Sequence, residues 1–288
     1  MASDTTSISQ LEAGLDALEQ NTRPDKPLWR RILENVLPPI GGLVVVVAIW
    51  DLLVLAHVKQ GYLLPGPADV WDELTARWSG DLIGQAIWGS VSRAAIGFGA
   101  SLVIGSALGL ILGQSKLLRK AYGPLLSGLQ SLPSVAWVPV MIVWFGISPS
   151  TIYAVVLLGA VPSIAIGLMD GVDQVPTIYL SVGRNLGARG LDAIRFVLLP
   201  AALPGYVSGL KQGWAFAWRS LMAAELIAVS PTLGPGVGQV LDQAAQLQDM
   251  SLAFGMIIVI LLIGVGINMV FFAPLERRLL RTRGLARR

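Results

Sequence analysis

Six long apolar segments restrict this chain of 288 residues to one class of fold. A helix that crosses a hydrocarbon layer about 30 Å thick needs about 20 mainly apolar residues, and each segment approaches or exceeds that length. Inside a bilayer no water can bond the backbone, so such segments must be helical. The composition agrees, with 54% hydrophobic and 14% charged residues. We predict an all-α membrane protein with six transmembrane helices, at 35–57, 88–113, 122–145, 151–170, 204–229 and 252–273.

Lysine and arginine residues between the spans indicate the orientation, because cytoplasmic loops carry an excess of them. An even number of spans places both termini on one side of the membrane. If that side is the cytoplasm, the outer loops hold only Lys59 and Arg77. The inner segments then hold Arg23, Lys26, Arg30, Arg31, Lys116, Arg119, Lys120, Arg184, Arg189, Arg195, Arg277, Arg278, Arg281, Arg283, Arg287 and Arg288. We therefore expect cytoplasmic N- and C-termini.

Two polar tails flank the membrane region. Residues 1–32 lack the basic start and apolar core of a signal peptide, so we expect them to remain uncleaved. Within this tail an apolar residue recurs at helical spacing, which predicts a short amphipathic helix. The residues concerned are Ile8, Leu11, Leu15 and Leu18. We predict a permeation domain over 33–275 and a basic cytoplasmic tail over 276–288.

Several kinds of chemistry are excluded by what the sequence lacks. It has no cysteine and one histidine, His57, so thiolate catalysis, Cys-based metal sites and paired-histidine sites are absent. No Gly-Lys dipeptide occurs, which removes the phosphate-binding GxxxxGK[ST] loop, and HExxH and GxSxG are also missing. We predict no catalytic residue, no metal site and no ATPase activity in this chain. The positive inner loops explain its net charge of +3 without a nucleic-acid partner.

Small residues recur every four positions in two of the spans. In lipid, small faces that let helix backbones approach closely are a main source of helix association. We therefore predict helix-packing faces, either within the chain or against a second copy. They comprise Gly97, Ser101, Gly105, Gly109 and Gly113 in the second span, and Gly205, Gly209 and Gly213 in the fifth.

Ionisable residues inside spans usually face a bundle interior or a polar cavity. Asp51 lies in the first span and Arg93 at the start of the second, whereas the fifth span alone contains three. Those three, with two tryptophans on the same helix, predict the wall of a pathway for a polar or anionic solute. This predicted pathway set is Lys211, Trp214, Trp218, Arg219 and Glu225. The alternative is that Lys211 reaches the inner interface and that Arg219 and Glu225 have structural partners elsewhere.

The inner loop 171–203 is too long and too regular for a simple connector. Pro176 suits a first helical turn, so a helix is expected from there to Gly187. Gly187 and Gly190 mark a turn, and a second short helix is predicted from Leu191 to Leu199, stopped by Pro200. We expect this loop to expose apolar side chains beside cations, which suits insertion into a groove of another protein. The apolar side chains are Leu186, Ile194, Phe196 and Val197.

A motif in this loop carries a resemblance to a known family. Gly187, Val197, Leu199 and Pro200 match the pattern Gly, nine residues, an aliphatic residue, one residue, Leu-Pro. This is similar to the cytoplasmic loop motif of ABC importer permeases. The runs LPGPADVWDEL, SLPSVAWVPVMIVWFGI, LPAALPG and WRSLMAAEL resemble the nitrate, taurine and aliphatic sulfonate group in particular. The family motif begins with Glu-Ala-Ala, but Ser181 stands here in place of the glutamate.

The resemblance implies a type I ABC importer permease fold in a bacterial inner membrane. It implies a second permease copy, two separate ATP-binding cassette subunits that bind ATP and Mg, and an extracytoplasmic solute-binding protein. The loop would act as a coupling helix seated on the ATPase. Its implied contact residues are Ser181, Asn185, Leu186, Gly187, Asp192, Arg195, Phe196, Val197, Leu199 and Pro200.

The resemblance leaves the solute open. A sulfonate, taurine, nitrate or bicarbonate suits the cations Lys211 and Arg219, whereas the aromatic residues of the fifth span also suit a heteroaromatic vitamin precursor. A secondary carrier is a further alternative, but it predicts an inverted repeat with a coupling-ion site at mid-membrane, and the two halves show no convincing repeat.

Overall fold

The structure is a computed structural model that describes residues 28–230 and 233–282. Within these two ranges it contains helices and no strand, as the sequence predicts. The helices are α1 Leu28–Leu55, α2 Pro67–Ser79, α3 Leu82–Gln114, α4 Lys116–Ser131, α5 Trp137–Phe145, α6 Pro149–Asp173, α7 Thr177–Asn185, α8 Leu199–Ile227, α9 Val237–Gln246, α10 Met250–Ile267 and α11 Ala273–Thr282. Four shorter segments join some of them: a 3₁₀ turn Ser134–Ala136, a helical turn Leu191–Ala193, and π-helical segments Ile194–Leu198 and Asn268–Phe272.

Five helical stretches in the described ranges are long and apolar enough to cross a membrane. They are Leu37–Leu55, Leu82–Gln114, Pro149–Asp173, Leu191–Ile227 and Met250–Leu279. A sixth crossing results if α4 and the segment Ser134–Phe145, which are bent by 90° relative to each other, count as one span. Six spans in this sense agree with the sequence prediction.

The predicted third span, 122–145, is therefore not a continuous helix. Leu132 leaves the helical region with a ψ of 133°, and Pro133 follows it. A proline disfavours the helical conformation of the residue before it and supplies no N–H to continue the ladder. Two short helices meeting at Pro133 replace the single span.

Helix α1 belongs to a unit of its own, Met1–Val58. It begins at Leu28, so the predicted boundary of the N-terminal tail at residue 32 lies inside this helix. Its window Leu37–Leu55 has a mean hydropathy of 2.1, as expected for a membrane span. The predicted amphipathic helix near the N-terminus and the end of the C-terminal tail lie outside the described residues.

Helix α6 is the central helix of the second unit, which begins at Lys59. It packs most extensively against α8 and α3. Side chains along its length, such as Ile152, Val156 and Ile164, are completely buried. The core is therefore organised around the predicted fourth span.

Both predicted packing faces meet α6 of the same chain. A Cβ added to Gly105 would lie 2.8 Å from the Cβ of Ile164, and one added to Gly209 would lie 2.5 Å from the Cα of Gly167. Such distances leave no room for a side chain. At Gly209 the neighbouring atoms belong to the backbone of α6, which cannot move aside. The other members of the two faces that contact α6 closely are Gly97, Gly109, Gly205 and Gly213. Ser101 is fully buried on the same face, and Gly113 has looser contacts, the nearest at 3.7 Å.

Ion pairs identify the two ends of this unit. Arg119 at the start of α4 pairs with Asp173 at the end of α6, next to the loop 171–203. Arg77 at the end of α2 lies 3.3 Å from Asp249, which caps the start of α10. We call the first end the inner end and the second the outer end.

The helix of the inner loop does not stop at Pro200, contrary to the prediction. From Leu191 the chain runs through the π-helical segment Ile194–Leu198 directly into α8, so the apolar stretch extends from Leu191 to Ile227. Pro200 is the second residue of α8, and proline is tolerated in the first turn of a helix. The predicted fifth span, 204–229, is thus continuous with the second helix of the loop.

Candidate functional site

Helices α8 and α10 border an open cavity of about 540 Å³, which we call the inner cavity. Its wall contains four of the five residues of the predicted pathway, which are Lys211, Trp214, Trp218 and Arg219. The sequence reasoning missed the other lining residues, Ser208, Gln212, Ala215, Gly264, Val265 and Asn268. One of these had a signal, because Asn268 is the only polar residue of the predicted sixth span. A pathway prediction based on ionisable residues does not include it.

Aromatic rings form the buried side of the inner cavity. The indoles of Trp214 and Trp218 are stacked, with 6.4 Å between centroids and 16° between planes. Phe98 of α3 meets Trp214 edge-on at 5.4 Å. The indole Nε1 of Trp218 donates to the carbonyl of Ile260 at 3.3 Å. This aromatic cluster fixes the wall in one arrangement, since aromatic pairs prefer such stacked and edge-on geometries.

The two cations of the inner cavity differ in their surroundings. The Nζ of Lys211 lies 3.3 Å from Oε2 of Glu276 in α11, and both side chains are about four-tenths exposed. The guanidinium of Arg219 lies 4.5 Å from the ring centre of Phe216, and its Nε donates to the carbonyl of Ala215. No acidic side chain of the described residues pairs with Arg219. The positive charge of Arg219 is therefore available to an anion.

A second cavity lies further toward the outer end and is smaller, about 360 Å³, and apolar. It shares Trp218 and Arg219 with the inner cavity. Its remaining lining residues are Val135, Met222, Ala223, Leu226, Ile227 and Ile260. Trp218 and Arg219 thus separate two spaces that follow each other along α8.

Glu225, the fifth residue of the predicted pathway, lines neither cavity, so for this residue the pathway interpretation is wrong. Its side chain is completely buried and bonded within the chain. Oε1 lies 2.8 Å from Nη1 of Arg93, and Oε2 accepts from the Ser90 hydroxyl at 2.7 Å and from the Gly238 N–H at 3.0 Å. A buried carboxylate requires such partners, because an unpaired charge in an apolar interior is very unfavourable. The structural alternative therefore holds for Glu225.

Glu225, Arg93 and Ser90 hold the loop before α9, and we call these three residues the outer ion-pair network. Arg93 donates to the carbonyls of Leu233 and Gly234 in that loop. The Ser90 hydroxyl accepts from the N–H of Val237, the first residue of α9. The network thus satisfies two of the free N–H groups at the start of α9. Residues Leu233 to Pro235, directly before this helix, are held by hydrogen bonds from Arg93 to their carbonyls.

The loop 171–203 forms a helical element at the inner end. Helix α7 leads into a turn in which Gly187 has a φ of +91° and Gly190 a φ of +55°. A side chain at Gly187 would meet no neighbour within 4 Å, so the backbone angle alone requires glycine there. Leu186 is 83% exposed and Phe196 is 65% exposed, with the guanidinium of Arg195 5.4 Å from the Phe196 ring.

Two residues expected to be exposed on this loop are instead half-buried. Val197 packs on Gly183, whose absent Cβ would lie 2.8 Å from a Val197 methyl group. Ile194 packs against the small core of Val175, Leu198 and Ala202. These contacts hold the two helices of the loop together. The remaining implied contact residues Ser181, Asn185 and Asp192 are exposed, and Leu199 and Pro200 are half-buried.

The other polar residues singled out from the sequence do not assemble a site. Asp51 and His57 are exposed in the first unit. Within the described ranges no group of three His, Cys, Asp or Glu side chains is arranged to hold a metal. The described residues therefore offer two candidate sites, the inner cavity with its two cations and the exposed loop 171–203.

Comparison with known proteins identifies the family. Residues 101–278 match the family described as binding-protein-dependent transport system inner membrane component. The taurine transport system permease protein of Escherichia coli K12 is 29% identical over 212 residues, 72% of this chain and 77% of that protein. The bicarbonate transport system permease protein of Synechocystis is 28% identical over 237 residues, 77% of this chain and 81% of that protein.

A solved structure shares the fold. The inward-facing MetNI methionine ABC transporter has a TM-score of 0.61 at 18% identity, over 69% of this chain and 96% of that chain. The residues matched by the family contain the inner cavity and the coupling loop. The chain therefore belongs to the binding-protein-dependent transport system inner membrane components, the permease subunits of ABC importers.

Proposed function

We propose that this permease carries a small anionic or polar solute of the sulfonate, taurine, nitrate or bicarbonate kind. The observation that supports this proposal is the inner cavity, where Lys211, Trp214, Trp218 and Arg219 lie on one wall. Arg219 lacks an acidic partner among the described residues, and a charged hydrogen bond to a solute is worth about 1.5–3 kcal/mol. Relatives named for taurine and bicarbonate transport agree with a solute that bears an oxyanion group, since taurine is a zwitterion with a sulfonate and bicarbonate is an anion.

Transport by the assembled complex tests this proposal. The complex is purified through a tag on this chain, reconstituted in liposomes with its binding protein, and assayed for uptake of labelled taurine, nitrate and bicarbonate. Replacing Arg219 with Gln should weaken uptake of the transported anion at least about tenfold. The matched control is Arg278→Gln, at an exposed arginine of α11, which should leave uptake unchanged. Equal uptake by both variants would contradict the anion pathway.

A heteroaromatic solute is the second candidate, because two stacked indoles line the inner cavity. Aromatic walls bind flat rings through the same stacked contacts that hold Trp214 and Trp218 together. With the same liposomes, uptake of a labelled heteroaromatic vitamin precursor that does not depend on Arg219 would favour this candidate over an anion.

We propose that the loop 171–203 seats on a separate ATPase subunit that binds ATP and Mg. Exposed apolar side chains support this, because Leu186, Leu191 and Phe196 stand free at the tip. Introducing a charge with Leu186→Glu should abolish solute-stimulated ATP hydrolysis while the chain still accumulates in the membrane. Leu117→Glu is the matched control, at a residue of α4 that is 77% exposed and lies outside this loop. Full activity of the Leu186 variant would refute coupling through this loop.

We further propose two copies of this chain per complex, with an extracytoplasmic binding protein at the outer end and both termini in the cytoplasm. Helix α8 supports a second copy, because Gln212, Ala215 and Arg219 form an exposed row along one face. Mass measurement of the purified complex tests the two-copy assembly. Labelling of single cysteines introduced at Lys59 and Arg184, which the proposal places outside and inside, tests the orientation.

A further inference from the structure

Helix α2 presents two exposed tryptophans at the outer end of the second unit. Trp71 is 68% exposed and Trp78 is 61% exposed. They are seven positions apart, which at 100° per residue places both indoles within about 20° of each other on one side of the helix. Large apolar side chains that are exposed together mark an interaction surface. The transport pathway proposed above does not involve them.

The side of α2 next to the indoles is packed on the rest of the unit. Val70 is buried, and a Cβ added to Gly255 of α10 would lie 2.8 Å from the side chain of Leu74. Arg77 lies 3.3 Å from Asp249, which caps the start of α10. These contacts fix the rotation of α2 about its axis, so they also fix the direction in which the two indoles point.

The side of α2 beyond the indoles is polar. Asp69 and Asp72 are exposed, and Asp72 lies about 100° around the helix from Trp71. The helix therefore has three sides in rotational order, one packed on α10, one bearing the indoles and one bearing carboxylates. Its 13 residues are too few to cross a hydrocarbon layer, which needs about 20 apolar residues.

Three sides in this order suit a helix that lies in the surface of a membrane. Tryptophan is enriched at membrane–water interfaces, because its ring is apolar and its N–H remains near the headgroups. The position of α2 agrees with such a location. Helix α3, which is long and apolar enough to span the membrane, begins at Leu82, directly after α2. Trp88 in the second turn of α3 is 75% exposed, so the indole surface continues onto a span.

We propose that α2 lies along the membrane surface at the outer end and inserts Trp71 and Trp78 between phospholipid headgroups and acyl chains. Asp69 and Asp72 then face water. The partner of the indole side is lipid, not another protein. The contacts between α2 and α10 hold the outer end of the sixth span at the depth that the two indoles select. This role is independent of which solute the permease carries.

Nitroxide labels measure the depth of each side of α2, and the chain has no cysteine that would interfere. Trp71→Cys, Trp78→Cys and Asp72→Cys are labelled singly and reconstituted with the ATPase in liposomes of phosphatidylcholine and phosphatidylglycerol. Collision rates with oxygen and with a water-soluble nickel chelate give the depth. Labels at 71 and 78 should lie about 5–10 Å below the phosphates, and the control label at 72 at or above them. Access of nickel to both tryptophan positions, or shielding of both from either reagent by protein, would overturn the proposal.

Fluorescence quenching tests the native indoles without a label. The emission lost in the double variant Trp71→Phe/Trp78→Phe belongs to these two residues. Phosphatidylcholine brominated near the headgroup end of its acyl chains should quench that emission, and iodide in the water should not. Trp214→Phe is the matched control, because the buried Trp214 should respond weakly to both quenchers. Quenching by iodide that stops when the binding protein is added would assign the indoles to that protein and refute the lipid contact.

Discussion

Breaking the outer ion-pair network should destabilise the protein far more than breaking the exposed pair of Lys211 and Glu276. The decisive variant is Glu225→Gln, which keeps the length of the side chain and removes its charge. The wild-type carboxylate accepts three hydrogen bonds, at 2.7, 2.8 and 3.0 Å, from groups that have little access to solvent. A glutamine offers one oxygen and one NH₂ group in their place.

Either orientation of the glutamine leaves a buried donor without an acceptor. If its NH₂ group faces Arg93, the guanidinium loses its counter-charge. If the NH₂ group faces the other way, the N–H of Gly238 loses its acceptor, although Ser90 can rotate and accept instead. An unsatisfied buried donor costs about 1–3 kcal/mol, and removing one partner of a buried ion pair costs about 3–5 kcal/mol. We expect the free energy of unfolding to fall by about 3–5 kcal/mol.

Unfolding in mixed micelles of dodecyl maltoside and SDS, followed by tryptophan fluorescence and circular dichroism, measures this change. Glu276→Gln is the matched control, because it removes the same charge from a pair whose side chains are 42% and 43% exposed. The control should lose less than about 1 kcal/mol. A double variant with Arg93→Met should be less destabilised than the sum of the single variants. Strict additivity, or a Glu225→Gln effect below about 1 kcal/mol, would refute the reasoning.

Three further predictions concern the packing faces and the coupling loop. Gly209→Ala should lower the free energy of unfolding by about 3 kcal/mol or prevent accumulation, while Gly99→Ala, which meets no neighbour within 4 Å, should be neutral or mildly stabilising in the same micelle assay. Gly187→Asn should retain more ATP-coupled uptake than Gly187→Val, because asparagine tolerates a positive φ and a β-branched residue does not; equal loss in both would show that side-chain size, not the backbone angle, is limiting. Ser181→Glu restores the carboxylate of the family motif at an exposed position. Binding of the ATPase subunit should therefore tighten while the thermal stability of the permease stays unchanged. Weaker binding would contradict the seating of this loop on the ATPase.

The positions of the spans and of the packing faces could be predicted from the sequence because both depend on local patterns. Hydropathy defines the spans, and a small residue at every fourth position defines a stripe on one side of a helix. The stripe of Gly97 to Gly109 does lie against another helix of the chain. Its partner could not be predicted, because nothing in the stripe identifies α6 among the other spans.

The two helix boundaries at prolines were predicted poorly because proline has opposite effects in different contexts. Pro133 breaks the third span, whereas Pro200 lies in a helix that continues from the inner loop. Helices α6 and α8 also continue through Pro162 and Pro204, so a proline alone does not predict where a helix ends. The surroundings that decide this are tertiary and cannot be read from the local sequence.

Glu225 is buried in an ion pair whereas Lys211 lines the inner cavity, and this difference shows why a helical wheel cannot identify a pathway in this protein. The two residues are 14 positions apart, which at 100° per residue places them within about 40° of each other on α8. Their heights differ by about 21 Å at 1.5 Å per residue, and this difference decides their partners. At the outer end, Arg93 of α3 and the loop before α9 cover the face and neutralise the carboxylate. Toward the inner end, the neighbouring sixth span offers the lone amide of Asn268 and, beside Trp218, Gly264, where an added Cβ would lie 3.3 Å from the Nε1 of Trp218. These small and polar residues of the sixth span leave the face of α8 around Lys211 and Trp218 uncovered. The cavity therefore depends on the sixth span as well as on α8.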